Sequence, residues 1–261
     1  MKKMLVMSSA ALAGIAMLGI EPNVNAQEIA GPPGPETPET PLVRRREFVA
    51  RPGPQLGARI AYAVGAGSVY SGLSVSSSSN GALPIQIDLG WRLLPMLYVG
   101  AYGQYAPVFV KNNPVSCPDG FSCSAQDWRF GIQADVHPLP MVRFDPYVGI
   151  GIGYEILHTG INGSTDVPTP AGTLTGTADA SVVDRGWEFV TLTIGADFRA
   201  NDFLGIGPFV SGSLNRYNVH NGTRVVTVNG TEVLNGPVDP VEHVMHEIFM
   251  FGIRGEFNPG A

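Results

Sequence analysis

The stretch PIQIDLGWRL, residues 84–93, alternates apolar and polar side chains without a break. In an extended strand, successive side chains point to opposite faces. One face of this stretch therefore carries Ile85, Ile87, Leu89, Trp91 and Leu93, and the other carries Gln86, Asp88, Gly90 and Arg92. The pattern predicts a β-strand whose two faces meet different surroundings.

The same alternation recurs in other segments along the chain. They span residues 56–65, 97–109, 128–137, 144–156, 188–199, 203–215 and 248–257. In nearly every segment the second face mixes glycine with charged or amide residues, which a dry protein core does not tolerate unpaired. The apolar face is therefore the one that requires an apolar neighbour.

The composition excludes several classes of protein. Hydrophobic residues make up 44% of the 261-residue chain, which is enough to build a folded domain and excludes wholesale disorder. The 33 glycines keep no three-residue period, so collagen is excluded. A formal net charge of -6 argues against nucleic acid as a partner, because phosphate contacts require clustered Lys and Arg.

The start of the chain is organised as an export signal. Residues 1–26 combine a basic start, a short apolar run and small residues before a cleavage site at Ala26, as in a secretory signal peptide. Residues 27–54 are rich in proline and lack hydrophobic periodicity, which predicts a disordered, flexible periplasmic tail. We expect the folded domain to occupy residues 55–261.

The connections between the alternating segments differ systematically in length. Short turns fall at residues 94–96, 138–143 and 200–202, whereas residues 67–83, 111–127, 157–187 and 216–247 form long connections. Short turns on one rim and long polar loops on the other are typical of outer-membrane barrels. The pattern predicts an all-β, closed, antiparallel, up-and-down transmembrane β-barrel of eight strands, with both termini periplasmic and the long loops extracellular.

The last long connection contains a hairpin signal of its own, TRVVTVNGTEVL, in which Asn229-Gly230 suits a type I′ turn. Its arms hold about five residues, half of the roughly 9–11 that cross a membrane. We therefore expect this hairpin to lie outside the bilayer and the barrel to have eight strands, with ten strands as the alternative.

The chain resembles the small outer-membrane β-barrel superfamily of Gram-negative bacteria, and within it the eight-stranded transmembrane domain of outer membrane protein A. The resemblance rests on the signal peptide, on strands such as YVGIGIGYEI and on the closing segment FMFGIRGEF. It implies contact with outer-membrane lipid and lipopolysaccharide, and recognition of the C-terminal strand by the barrel-assembly machinery. That machinery reads an aromatic residue at the end of the chain, whereas Phe257 here is followed by four more residues.

Eight strands close around an interior that side chains can fill. The inward faces offer cations and anions in nearly equal number, which predicts a cross-linked interior more than an open channel. These barrel-interior charges are Arg59, Asp88, Arg92, Arg129, Asp135, Asp145, Glu155, Asp197, Arg199, Arg254 and Glu256. Aromatic residues towards the segment ends predict lipid-facing girdles. They are Tyr62, Trp91, Trp128, Tyr154, Phe198 and Phe257.

Other residues with chemical potential give weaker signals. Cys117 and Cys123 are the only cysteines, and in an exported chain they are predicted to form a disulfide. His243 and His246 fall on opposite faces of a strand, so we predict no metal site and no cofactor. Pairs such as His220 and Ser213 form no recognisable catalytic motif, and we predict no enzyme.

Four functions remain open from the sequence. The pattern favours an integral outer-membrane barrel with a structural or surface-interaction role. The alternatives are a narrow, porin-like channel, a lipid-modifying outer-membrane enzyme, and a soluble lipocalin-like barrel that would turn its apolar face inward around a ligand. The sequence indicates no particular ligand and no oligomeric state.

Overall fold

The structure is a computed structural model that describes residues 51–70, 72–113, 116–140, 143–170 and 172–259. The predicted signal peptide and most of the predicted tail lie outside these residues. The elements are β1 (Gly53–Tyr70), β2 (Leu73–Ser74), α1 (Val75–Ser78), β3 (Ser79–Ala82), β4 (Ile85–Leu94), β5 (Leu97–Val110), β6 (Phe121–Val136), β7 (Phe144–Thr169), β8 (Gly172–Arg199), β9 (Leu204–Val228), β10 (Thr231–Pro237) and β11 (Met245–Phe257). Across the described ranges, no helix is long and apolar enough to cross a membrane.

Eight of the strands form a closed antiparallel ring. Its order is β1, β4, β5, β6, β7, β8, β9 and β11, and β11 pairs back onto β1. These strands contain the eight alternating segments, so the predicted eight-stranded barrel is confirmed. Pairing starts at Gly53, slightly before the predicted domain boundary, because Gly53 and Pro54 lie opposite Arg92 and Trp91 of β4.

The wall is less continuous on the side of the long connections between β1 and β5. Strand β4 begins at Ile85, and β3 takes its place beyond that point. β3 pairs with β5 through Ala82 and Val108, but it meets β1 only at Ala63. Helix α1 packs beside this junction, where Val75 contacts Gly65 of β1.

Two of the connections predicted as loops, residues 157–187 and 216–247, consist largely of β-strand. This corrects the prediction from sequence. β7 and β8 have 26 and 28 residues, and β9 has 25. Their outer halves are rich in Ser, Thr and Gly, which favours loops, but each strand pairs with a neighbour that satisfies its backbone groups.

The predicted hairpin at Asn229-Gly230 is confirmed. Asn229 and Gly230 both have positive φ, 50° and 77°, as a type I′ turn requires. β10 pairs with β9 alone and does not enter the ring. The ten-strand alternative is therefore wrong.

The two faces of the ring strands have opposite character. Outward apolar side chains are broadly exposed, up to 66% for Ile194 and 62% for Leu89. Inward positions are occupied by buried charged, amide, tyrosine and glycine residues, and Arg92 and Asp145 are both 0% exposed. Charge is thus concentrated on the inside of the barrel and apolar surface on the outside.

Candidate functional site

The interior of the barrel divides into two charged clusters. All the residues named above as barrel-interior charges are buried. Nine of them, together with their partners, lie towards the rim of the short turns, and we call these nine the charge plug. The charge plug consists of Arg59, Asp88, Arg92, Asp135, Asp145, Asp197, Arg199, Arg254 and Glu256.

Arg254 lies at the centre of the charge plug. Its guanidinium donates to Asp135 at 2.9 Å and to Glu256 at 3.2 Å. It also lies over the ring of Tyr147, 4.3 Å from the centroid, which is a cation–π geometry. Since Arg254 comes from β11, Asp135 from β6 and Tyr147 from β7, these contacts join strands that are not neighbours in the ring.

Arg92 closes the plug on the side of the short turns. Its Nε donates to the Gln55 side chain at 3.0 Å, and its Nη1 donates to the Pro95 carbonyl at 3.1 Å. Asp145 lies 3.7 Å from the same guanidinium, and it also pairs with Arg199 and with His137. Four cations and five anions are therefore buried together, and nearly every one of these charges has an opposite charge as a neighbour.

The second cluster lies nearer the long connections, and we call it the cavity floor. It consists of Asp127, Arg129, Glu155, Glu188 and His246. Arg129 is its only arginine. It pairs with Asp127 at 2.7 Å and with Glu155 at 3.2 Å, and it lies 3.7 Å from Glu188. His246 lies 3.3 Å from the second oxygen of Glu155. One guanidinium thus faces three carboxylates.

Above this floor the barrel is hollow. A cavity of about 300 Å³ is bounded below by Asp127, Arg129, Glu155, Tyr217 and His246. Its walls are mostly small or aliphatic and include Ala63, Ala82, Ala106, Val108, Ala125, Leu157, Ile248 and Met250. Between the floor and the charge plug lies a space of only about 20 Å³, which is of the order of a single water molecule. The side chains therefore block the interior below the cavity.

Two of the floor residues, Asp127 and Glu188, were missed by the sequence analysis. Glu188 has the same parity as the outward residue Val190 in a regular strand. A β-bulge between these two residues changes the register, so that Glu188 and Thr191 point inward while Phe189 is exposed. Asp127 lies one residue before the predicted segment, because β6 begins at Phe121 and continues the alternation beyond it.

A third buried group lies near the long connections. Asp184 accepts hydrogen bonds from the Tyr70 hydroxyl and from Nδ1 of His220, the latter at 2.6 Å. Burial and the hydrogen bond to Asp184 raise the pKa of Tyr70 above its ordinary value. Ser213, considered beside His220 in the sequence, instead bonds Arg129 and Asn215, so the two residues form no catalytic pair.

The aromatic residues form two belts around the barrel. Near the short turns, Phe144 contacts Phe198 at 5.2 Å and Phe203 contacts Phe257 at 6.1 Å between ring centroids. The belt nearer the long connections includes the pairs Tyr62–Phe251, Tyr105–Trp128 and Tyr154–Trp187. Of the predicted girdle residues, Trp91, Trp128, Phe198 and Phe257 are exposed. Tyr62 and Tyr154 are half-buried, Tyr62 against Phe251 and Tyr154 against Trp187.

A disulfide joins Cys117, in the connection between β5 and β6, to Cys123, near the start of β6. His246 points into the barrel. His243 precedes β11 and forms an isolated backbone β-bridge with Tyr70. These two histidines therefore belong to different environments. In the part of the chain that the structure describes, no three His, Cys, Asp or Glu side chains are placed to hold a metal ion.

Comparisons with known proteins return structures but no sequence family. No family model matches the chain, and no curated protein matches it. Neisserial surface protein A is similar over 78% of this chain and 95% of its own, with 14% identity and a TM-score of 0.40. A major outer membrane protein from Thermus thermophilus is similar over 78% and 99%, with 13% identity and a TM-score of 0.47. OprG from Pseudomonas aeruginosa is similar over 81% and 98%, with 12% identity and a TM-score of 0.43.

Proposed function

We propose that this chain is an integral outer-membrane β-barrel protein with a closed interior and a structural or surface-interaction role. The observation that carries the proposal is that the two faces of the ring strands are arranged in the reverse of the order found in soluble proteins. Apolar side chains cover the outside of the ring, while the charges are enclosed. A soluble protein rarely exposes an apolar patch of more than a few hundred Å².

A lipid environment accounts for this inversion. Burying apolar surface in hydrocarbon is favourable by about 25 cal/mol per Å², so the outer face is stable in a bilayer and unstable in water. Backbone groups in the bilayer must be paired within the protein, and the eight ring strands close on themselves through the pairing of β11 with β1. The belts of aromatic residues at two heights match the two membrane interfaces.

The orientation follows from the asymmetry of the connections. We assign the rim with the short turns, where β1 begins and β11 ends, to the periplasm. The long β-hairpins are assigned to the outside of the cell. Lipopolysaccharide and outer-membrane lipid surround the barrel in this arrangement. Strand β11, which ends at Phe257, is the segment offered to the barrel-assembly machinery.

The charge plug favours a closed barrel over a porin-like channel. Its side chains cross-link opposite walls, and Arg92 is fully enclosed between Gln55, His137 and Asp145. A lipocalin-like soluble barrel fits poorly, because it requires the apolar face of each ring strand to point inward. The long hairpins then provide the surface for interaction with other molecules.

Planar-bilayer recordings test the closed interior. We expect the refolded wild-type protein to insert without steady ion current, and Arg92→Ala to produce a measurable leak because it removes a cross-link of the plug. Arg185→Ala, at an exposed position on β8, is the matched control and should stay silent. A steady wild-type conductance would exclude the closed barrel.

Membrane location and orientation need separate measurements. The protein should fractionate with outer membranes, and unboiled samples should migrate differently from boiled ones on gels. Protease added to intact cells should cleave the hairpin between β7 and β8. Folded protein that is soluble in water without detergent would overturn the membrane proposal.

A further inference from the structure

The cavity above the floor has the features of a small-molecule site. It lies inside the barrel and has a volume of about 300 Å³, within the lower range of ligand pockets. Leu73, Val75 and Val110 extend its apolar lining towards the long connections. These walls favour a ligand with an apolar body.

The floor carries more negative than positive charge. Asp127, Glu155 and Glu188 face a single guanidinium, that of Arg129. In the charge plug, by contrast, nearly every carboxylate has its own arginine. An apolar environment strengthens electrostatic interactions relative to water, so this excess favours a positively charged group at the bottom of the cavity.

Two buried atoms of the floor lack hydrogen-bond partners among the described residues: Oδ1 of Asp127 and Nδ1 of His246. Asp127 is 6% exposed and His246 is 2% exposed, and both residues border the cavity. Leaving such groups unpaired is costly, which indicates that something else satisfies them.

The unpaired oxygen of Asp127 is an acceptor. A carboxylate oxygen accepts only. His246 reaches Glu155 through Nε2, which must carry the proton because its partner also accepts. His246 therefore uses Nε2 for this contact, and its Nδ1 is left without a partner among the described residues. A ligand that suits the floor is therefore a hydrogen-bond donor.

We propose that the cavity binds a small apolar molecule with a protonated amine, whose ammonium group donates to Asp127. The apolar body lies against the alanine and valine walls, and the ammonium group reduces the charge excess of the floor. This site goes beyond the proposed surface role, and it lies on the side of the charge plug that faces the long hairpins.

Calorimetric titration of the wild-type protein in zwitterionic nanodiscs tests the proposal. The probes are 4-phenylbutylamine, 4-phenylbutanol and 4-phenylbutanoate, which share one apolar body and differ in the terminal group. Heats measured with empty nanodiscs are subtracted. We expect the amine to bind about tenfold or more tightly than the alcohol, and the carboxylate to bind most weakly, as expected for one hydrogen bond to a charged group.

Variants separate the charge of the floor from the shape of the cavity. Asp127→Asn keeps the shape and should remove the preference for the amine over the alcohol. Ala106→Leu should fill the cavity and weaken binding of all three probes. Glu256→Gln, which removes a carboxylate from the charge plug, should leave the preference unchanged because Glu256 does not border the cavity.

Equal affinity for amine and alcohol in the wild-type protein would overturn the proposal, as would an unchanged amine preference in Asp127→Asn. A gel shift on boiling verifies that each variant is folded before titration. Failure of the wild-type protein to enter nanodiscs would instead contradict the membrane proposal, so the two failures are distinguishable.

Discussion

The charge plug and the cavity floor use the same residue types but differ in balance and in packing. In the plug, four arginines and five carboxylates pair across the barrel, and the remaining space is small. On the floor, Arg129 serves three carboxylates, and an apolar cavity lies above them. Balanced charge cross-links and closes the lower barrel, whereas unbalanced charge next to empty space creates a place for a ligand.

The largest expected effect is the loss of a plug arginine. Arg254→Ala leaves Asp135, Asp197 and Glu256 enclosed without this cation. Breaking a buried ion pair from one side costs about 3–5 kcal/mol, and we expect a fall of this size in the free energy of unfolding. Urea titration in lipid vesicles, followed by the gel shift, measures it.

Arg224→Ala is the matched control for that variant. Arg224 pairs with Asp239 at 2.9 Å, but the Asp239 side chain is 75% exposed. The change should cost about 0–1 kcal/mol, because water replaces an exposed partner. Equal losses in the two variants would show that the plug does not hold the barrel together.

A smaller effect on the free energy of unfolding is expected when a side chain is enlarged, and its sign should differ between the tightly packed lower barrel and the cavity. A methyl group at Gly207, in the lower barrel, would overlap the carbonyl oxygen of Ala196 on the neighbouring strand. Gly207→Ala should therefore destabilise the fold by about 1–3 kcal/mol, as overpacking does. Ala106→Val adds volume within the cavity instead and should be neutral or stabilising by up to about 1 kcal/mol.

The same urea titration measures both substitutions. If Ala106→Val destabilises the barrel as much as Gly207→Ala does, the space above the floor is not available to a ligand. The two halves of the barrel would then not differ in how tightly they are packed.

The smallest effect concerns the hairpin between β7 and β8. Ser164 and Thr177 lie opposite each other, so residues 165–176 can be replaced by the turn sequence Asn-Gly. Because this tip lies outside both charged clusters, the free energy of unfolding should change by less than about 0.5 kcal/mol. A loss above about 1 kcal/mol, larger than expected for a surface change, would place part of the stabilising core in the hairpin.

The sequence predicted the barrel well because period-two alternation separates the inward and outward faces of each ring strand. It predicted the buried charges of regular strands, such as Arg92 and Asp145, for the same reason. It missed Glu188 because a single β-bulge reverses the parity of every residue on one side of it. Nothing in the local pattern marks that bulge.

The cavity could not be predicted from the alternation either. Its walls combine inward alanines from several strands with Leu73 and Val75, which come from the connection after β1. The space between them depends on how that connection packs against the wall. Similarly, the outer parts of β7 and β8 resemble loops in composition, and they become strands only because a neighbour is present to pair with them.

Contact between the outer face of the ring and lipid can be tested with the intrinsic fluorescence of the protein, without any substitution. The chain has 3 tryptophans. Trp91, Trp128 and Trp187 all lie on the outer face and are 52%, 47% and 54% exposed. They occupy the aromatic belts, where such residues meet the membrane interface.

The measurement compares the tryptophan fluorescence of the folded protein in vesicles of ordinary phosphatidylcholine with that in vesicles of dibrominated phosphatidylcholine. Bromine quenches tryptophan only at short range. We predict strong quenching, greater when the bromine atoms lie near the headgroups than when they lie near the bilayer centre. Equal fluorescence in brominated and ordinary lipid would show that the outer face does not contact lipid.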